Sequence, residues 1–232
     1  MKKLKKLLAV VATMAVVCMT LTGCGEKLPP ADQTISSLFE LAAKNNAAPM
    51  KDLLGFASEE EVRSAFFEEG ADVELVDELK SELESAGVEL SEEDVQDLTD
   101  SLETMLNKIT YTAEITSQEK DTTVVTLKVN GFSYEEMTNI IMDAANTMME
   151  SITEEDQIAI QNGDMEVFNN YMQQYVKDFV AGLAALEPTA APVEFTVNCE
   201  KLSVEVNGKD KVAWLPSDMD GFSVDVENAM FQ

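Results

Sequence analysis

The spacing of the apolar residues changes at residue 110, and that change limits the fold more than any other feature of the chain. Before it, apolar side chains recur three and four apart, as in Ile35, Leu38, Phe39 and Ala42, and again in Val95, Leu98, Leu102, Met105 and Ile109. That period places one apolar face on a helix. From Tyr111 the pattern alternates through Ala113 and Ile115, crosses a polar turn at Glu119 to Asp121, and alternates again through Val125, Leu127 and Val129. Alternation on both sides of a turn predicts a β-hairpin. The helical period then returns over 132–187 and gives way to alternation at Val193, Phe195 and Val197. Helices and strands arranged in blocks predict an α+β fold: N-terminal helices, then an antiparallel curved sheet of two hairpins with a helical insertion between them.

Local signals divide these blocks further. Ser58-Glu59-Glu60-Glu61 and Ser91-Glu92-Glu93-Asp94 are capping-box patterns that open helices. Pro49 can open a short helix, and Gly70 and Gly87 close acidic helical segments, the second of them over 72–86. Thr153 and Asp156 cap a short helix that ends near Gly163. The most strongly amphipathic segment, Asp164 to Leu186, lines Phe168, Tyr171, Met172, Tyr175, Val176, Phe179 and Leu183 along one face. Leu202, Val204 and Val206 predict a further strand, Asn207-Gly208 a two-residue turn, and Lys211 to Leu215 its partner. Ser223 to Val226 reads as a short strand. The expected boundaries are helical 32–109, hairpin 110–130, helical insertion 132–187 and C-terminal hairpin 193–215, all within an α+β domain spanning 32–232.

The first 23 residues follow a different logic. Lys2, Lys3, Lys5 and Lys6 precede an apolar run from Leu7 to Met19. A basic start, a short apolar stretch and small residues before a cut describe an export signal. The run is shorter than the roughly 20 residues that a membrane-spanning helix needs. Leu21-Thr22-Gly23-Cys24 resembles the lipobox of bacterial lipoproteins. The resemblance implies cleavage between Gly23 and Cys24 and a thioether-linked diacylglycerol on Cys24. The chain would then be held at the extracytoplasmic face of a bacterial membrane, with residues 24–31 as a short lipidated tether.

Composition excludes several classes of function. The net charge is −28, and it grows more negative when the four signal lysines leave. Nucleic acid is excluded as a partner, because phosphate contacts need lysine and arginine clusters. Anionic lipid heads are disfavoured beyond the acyl anchor. The chain has no histidine. Ser-His-Asp and Cys-His catalysis and His-containing zinc sites are therefore ruled out. Of three cysteines, Cys18 lies in the signal and Cys24 in the lipobox, so Cys199 is left without a disulfide partner. Its alternating context favours a buried strand thiol over a reactive nucleophile.

Each remaining candidate has a plain structural alternative. Asp218, Asp220, Asp225 and Glu227 offer oxygen ligands for Ca²⁺, but the glycine and glutamate spacing of an EF-hand is missing, so a solvated acidic turn is favoured. Glu59 to Glu61 and Glu92 to Asp94 suit helix first turns better than paired acid–base work. The stripe of Met137, Met148, Met149, Tyr171, Met172 and Tyr175 could line a groove, and core packing is the favoured account. Trp214 alternates with Val212 and reads as core. The expectation is that the chain holds no metal and no cofactor.

A lipobox leading into helices, the Tyr-x-Ala-x-Ile strand at Tyr111 to Ile115, its Thr-x-x-Val-x-Leu-x-Val partner at Thr122 to Val129, and a last hairpin with Asn207-Gly208 and Trp214 resemble small bacterial lipoproteins with cystatin-like or NTF2-like domains. The DUF5105 and DUF4878 groups are among them. The resemblance implies a sheet curled against a helix, a form that serves enzymes and binding modules alike. The resulting expectation is a non-enzymatic binding or accessory module of the cell envelope, tethered to the membrane, with an unknown envelope protein or small ligand as partner. A small-molecule or peptide binding protein with an apolar pocket is the first alternative. A carboxylate-dependent envelope hydrolase is the second.

Overall fold

A computed structural model describes residues 28–67, 80–81, 84–85, 90–189 and 191–232. Gly23, Cys24, the rest of the signal and most of the expected helix at 72–86 lie outside these residues. The chain divides into two compact units. One comprises Met1–Asp72, Ile109–Gly131 and Ala190–Gln232, and the other Val73–Lys108 and Phe132–Thr189.

The first unit holds the sheet. Helix α1 (Ala31–Lys44) places Asp32 in its first turn and Lys44 in its last, and ends at Asn45 in the left-handed region. This charge order matches the helix dipole. Helix α2 (Ala48–Leu54) has Pro49 in its first turn and stops at Gly55, φ 75°. Helix α3 (Glu59–Phe66) is capped by Ser58, whose hydroxyl accepts from the Glu61 amide. Strands β1 (Thr110–Gln118), β2 (Thr122–Asn130), β3 (Val193–Val206) and β4 (Lys209–Pro216) form one antiparallel sheet in the order β1-β2-β3-β4. The fold is α+β, as the blocks of period indicated. Helix α8 (Met219–Met230) closes the chain. Helices α1 and α8 pack on the sheet and on each other.

The register explains what alternation alone obscured. Val125 pairs with Val197, Leu127 with Phe195 and Thr123 with Cys199. Beyond Cys199 the partner of β3 becomes β4, with Lys201 opposite Trp214 and Val204 opposite Lys211. Along β3 the buried positions are Val197 and Cys199, then Val204 and Val206, so burial passes from one face of the strand to the other. The sequence pattern split this segment into two strands; it is one. In β4, Trp214 and Leu215 point to opposite faces and both are buried. Asn207 (φ 53°) and Gly208 (φ 71°) both take positive φ, as a tight β3–β4 hairpin turn requires.

The expectation of a strand at Ser223 to Val226 is overturned by α8. Asp218 caps it, its Oδ1 accepting from the Gly221 amide. Phe222, Val226, Ala229 and Met230 are buried and Val224 is 55% exposed. Helical spacing buries the first set on one side, whereas a strand would place Val224 beside Phe222 and Val226. At Gly131 the end of β2 approaches α8 so closely that a Cβ would collide with the carbonyl oxygens of Ala229 and Met230.

The second unit is helical. Helix α4 (Glu92–Asn107) begins with a complete capping box between Ser91 and Asp94. Helices α5 (Tyr134–Ser151), α6 (Glu154–Gln161) and α7 (Met165–Ala185) follow β2. Helix α7 packs against α4, α5 and α6. Gly182 lets α7 approach α5, because a Cβ there would collide with Ile140. Lys108 Nζ donates to the Ala184 and Leu186 carbonyls at 2.9 Å each and to Glu187 Oε1 at 2.7 Å, satisfying the carbonyls that end α7.

Candidate functional site

The residues considered for chemistry in the sequence have structural work. Cys199 is 1% exposed, and burial pushes its thiol up to about 12, which fits a protonated strand thiol rather than a nucleophile. Glu61 Oε2 accepts from the Ala57 amide at 2.8 Å and Oε1 from the Asn207 amide at 2.6 Å, tying the start of α3 to the β3–β4 turn. Asp94 closes the capping box of α4. Asp218, read as part of an acidic turn, is instead the cap of α8. Among the described residues no three acidic or cysteine side chains gather as a metal site would require.

An open depression between α1 and α2 is lined by Asp32, Ser36, Ser37, Pro49 and Asp52, among others. Asp32 is half-buried and its Oδ1 has no hydrogen-bond partner. The Asp52 side chain is 80% exposed, with Lys51 Nζ 3.9 Å away. One carboxylate stands in solvent, so the two are not the desolvated pair that acid–base hydrolysis uses.

The second unit departs from the expected packing. Among its described residues the buried apolar side chains are Leu98, Leu102 and Met105 of α4, Phe132 just before α5, Met137 and Ala144 of α5, Val176, Val180 and Leu183 of α7, and Leu186 just after α7. From Ala145 through Tyr175 no side chain is buried. That stretch contains the end of α5, all of α6 and the first half of α7. It is not polar in composition. Met148, Ile152, Phe168, Tyr171, Met172 and Tyr175 are partly buried. Met149 is 66% exposed, Ile158 60% and Met165 52%. Met142, two turns before Met149 on α5, is 56% exposed. The core account of the methionine and aromatic stripe therefore holds for Met137 and fails for Met149. A helix that buries one face in the core leaves its other face polar; the outer faces here are polar except at Met142, Met149, Ile158 and Met165.

The arm is nevertheless well specified locally. Thr153 caps α6 through the Asp156 amide and donates to Asp156 Oδ2 at 2.6 Å. Tyr171 donates from its hydroxyl to Asp156 Oδ2 at 2.8 Å and to the Ser151 carbonyl at 3.2 Å. These bonds from Thr153 and then Tyr171 hold the Asp156 carboxyl below its usual range. They fix α6 to α7 by polar contacts where apolar side chains are only partly buried. Asp164 caps α7 with Oδ1, accepting from the amides of Glu166 and Val167. The sequence alone missed Met142, Ile158 and Met165, because none of them falls on the apolar spacing that marked the buried faces of the helices.

Neither a family model nor any curated protein matches the chain. Among solved structures, it is similar to ycdA from Bacillus subtilis, described as a candidate lipoprotein. The TM-score is 0.52 at 14% sequence identity, covering 87% of this chain and 56% of the other. This chain thus spans little more than half the length of that neighbour. The likeness is one of fold.

Proposed function

We propose that the protein is a lipid-anchored lipoprotein of the bacterial cell envelope that acts as a non-enzymatic binding or accessory module, with the helical arm at 145–175 as its contact surface. The observation that carries the binding role is the exposure of Met149, Ile158 and Met165 on an arm in which no side chain is fully buried; exposed apolar surface on a folded protein marks contact sites. The anchor rests on the Leu21-Thr22-Gly23-Cys24 pattern. Fold likeness to a candidate lipoprotein agrees with it. No described helix is long and apolar enough to cross a membrane.

The test has two parts. Cells expressing the chain are fed an alkyne fatty acid; the wild-type chain should carry label in the membrane fraction and Cys24→Ala should carry none. Equal labelling of the two chains would refute the anchor. For the binding role, a photoreactive residue is placed at 149 and, as a control, at the exposed position 200 on β3. A discrete adduct at 149 alone is expected. Adducts absent or identical at the two positions would refute the arm as a contact surface.

A further inference from the structure

We infer that the partner docks through a basic amphipathic helix laid along the arm. This rests on the proposed reading of the arm as a contact surface and names the chemistry of its occupant. Charge complementarity selects this occupant. Between residues 145 and 175 the chain carries Glu150, Glu154, Glu155, Asp156, Asp164 and Glu166 and no lysine or arginine. Among the described residues no ion pair neutralises any of them. Met142, Met149, Ile158 and Met165 stand exposed on the same helices.

Three kinds of occupant face this surface differently. A second copy would bring the same uncompensated carboxylates against their like, and like charges across an interface are costly. An anionic bilayer is repelled for the same reason. A helix with lysine or arginine beside an apolar stripe meets both features at once. Methionine side chains are flexible and polarisable enough to accommodate varied apolar anchors. Met142 and Met149, seven residues apart on α5, present anchors two helical turns apart, the spacing at which an amphipathic helix offers its own apolar residues.

The test uses the full chain in nanodiscs of zwitterionic lipid, with empty nanodiscs as the blank, and fluorescence anisotropy of labelled synthetic peptides. The probe is a leucine–lysine peptide of about 18 residues, roughly five helical turns. One control replaces every lysine by glutamate; another keeps the composition and scrambles the apolar stripe. The basic amphipathic peptide should bind best and weaken as salt rises, because exposed charges are screened. Met149→Ser combined with Ile158→Ser should weaken binding about tenfold or more by removing apolar anchors. Glu154→Gln with Glu155→Gln should weaken it and flatten its salt dependence. All four positions are exposed, so the fold should survive, as circular dichroism would verify. Equal binding of all three peptides would overturn the inference, as would binding unaffected by both double variants. A photo-adduct at position 149 in cells without any binding of the basic peptide would overturn it too, while leaving the binding-module reading intact.

Discussion

Replacing Gly131 by alanine should destabilise the sheet-containing unit more than any other single methyl addition at a described glycine. The new Cβ would fall well inside contact distance of two carbonyl oxygens, those of Ala229 and Met230. Both obstacles are backbone, so no side chain can rotate away. The end of β2 and the end of α8 would have to separate, loosening Phe222, Val226 and Ala229, each at most 3% exposed. Overpacking a core by such groups costs about 1–3 kcal/mol, and backbone obstacles place this case at the upper end, about 3 kcal/mol. For a chain of this size that lowers Tm by roughly 6–12 °C. Gly208→Ala serves as the control. Nothing lies near its Cβ, but its φ of 71° leaves a left-handed penalty of about 1–2 kcal/mol. Trp214 is the only tryptophan and is buried in this unit, so its fluorescence during urea unfolding follows the right transition. A Gly131→Ala chain within about 0.5 kcal/mol of wild type, or more stable than Gly208→Ala, would refute the reasoning.

Three further outcomes are expected. Cys199 should resist a thiol reagent at pH 8 in the native chain and react in urea. Its folded value, raised by burial to about 12 from 9.0, also means that its contribution to stability is complete below about pH 9 and is lost as pH rises toward 12; rapid native labelling would contradict both. Ser91→Ala removes a cap whose Oγ accepts from the Asp94 amide at 3.1 Å and should cost about 1 kcal/mol of stability in urea unfolding followed by circular dichroism. Met149→Ser should change stability by less than about 0.5 kcal/mol, because the side chain is exposed; a loss above about 2 kcal/mol would show that it is core.

The parts of the fold that depend on local chemistry were legible in the chain. Ser58, Ser91 and Thr153 cap helices where hydroxyl and carboxylate spacing indicated, and Asn207-Gly208 turns the last hairpin. Two errors have physical causes, and in the first, one pattern satisfies two periods. Phe222, Val224 and Val226 alternate, yet Phe222, Val226 and Ala229 also fall at helical spacing, and the cap at Asp218 decides for the helix. In β3, burial changes face near Cys199, where the paired strand passes from β2 to β4, and a local pattern does not carry partner identity. The arm was illegible for a deeper reason. Met148, Tyr171, Met172 and Tyr175 have the spacing of a buried face, and that spacing is the same whether the face meets its own core or another molecule. Only the distribution of burial along α5 and α7 separates the two cases.

Hydrogen exchange across residues 145–175 tests the central claim most directly, measured on the chain in its native membranes and again after purification. The account predicts that amides of the arm in the purified chain exchange much faster than those of β2 and β3, since no buried side chain holds the arm closed, and that exchange slows in the membranes where a partner covers it. Protection equal to that of the sheet in the purified chain, unchanged in the membranes, would show that the arm is part of a closed core and would contradict the account.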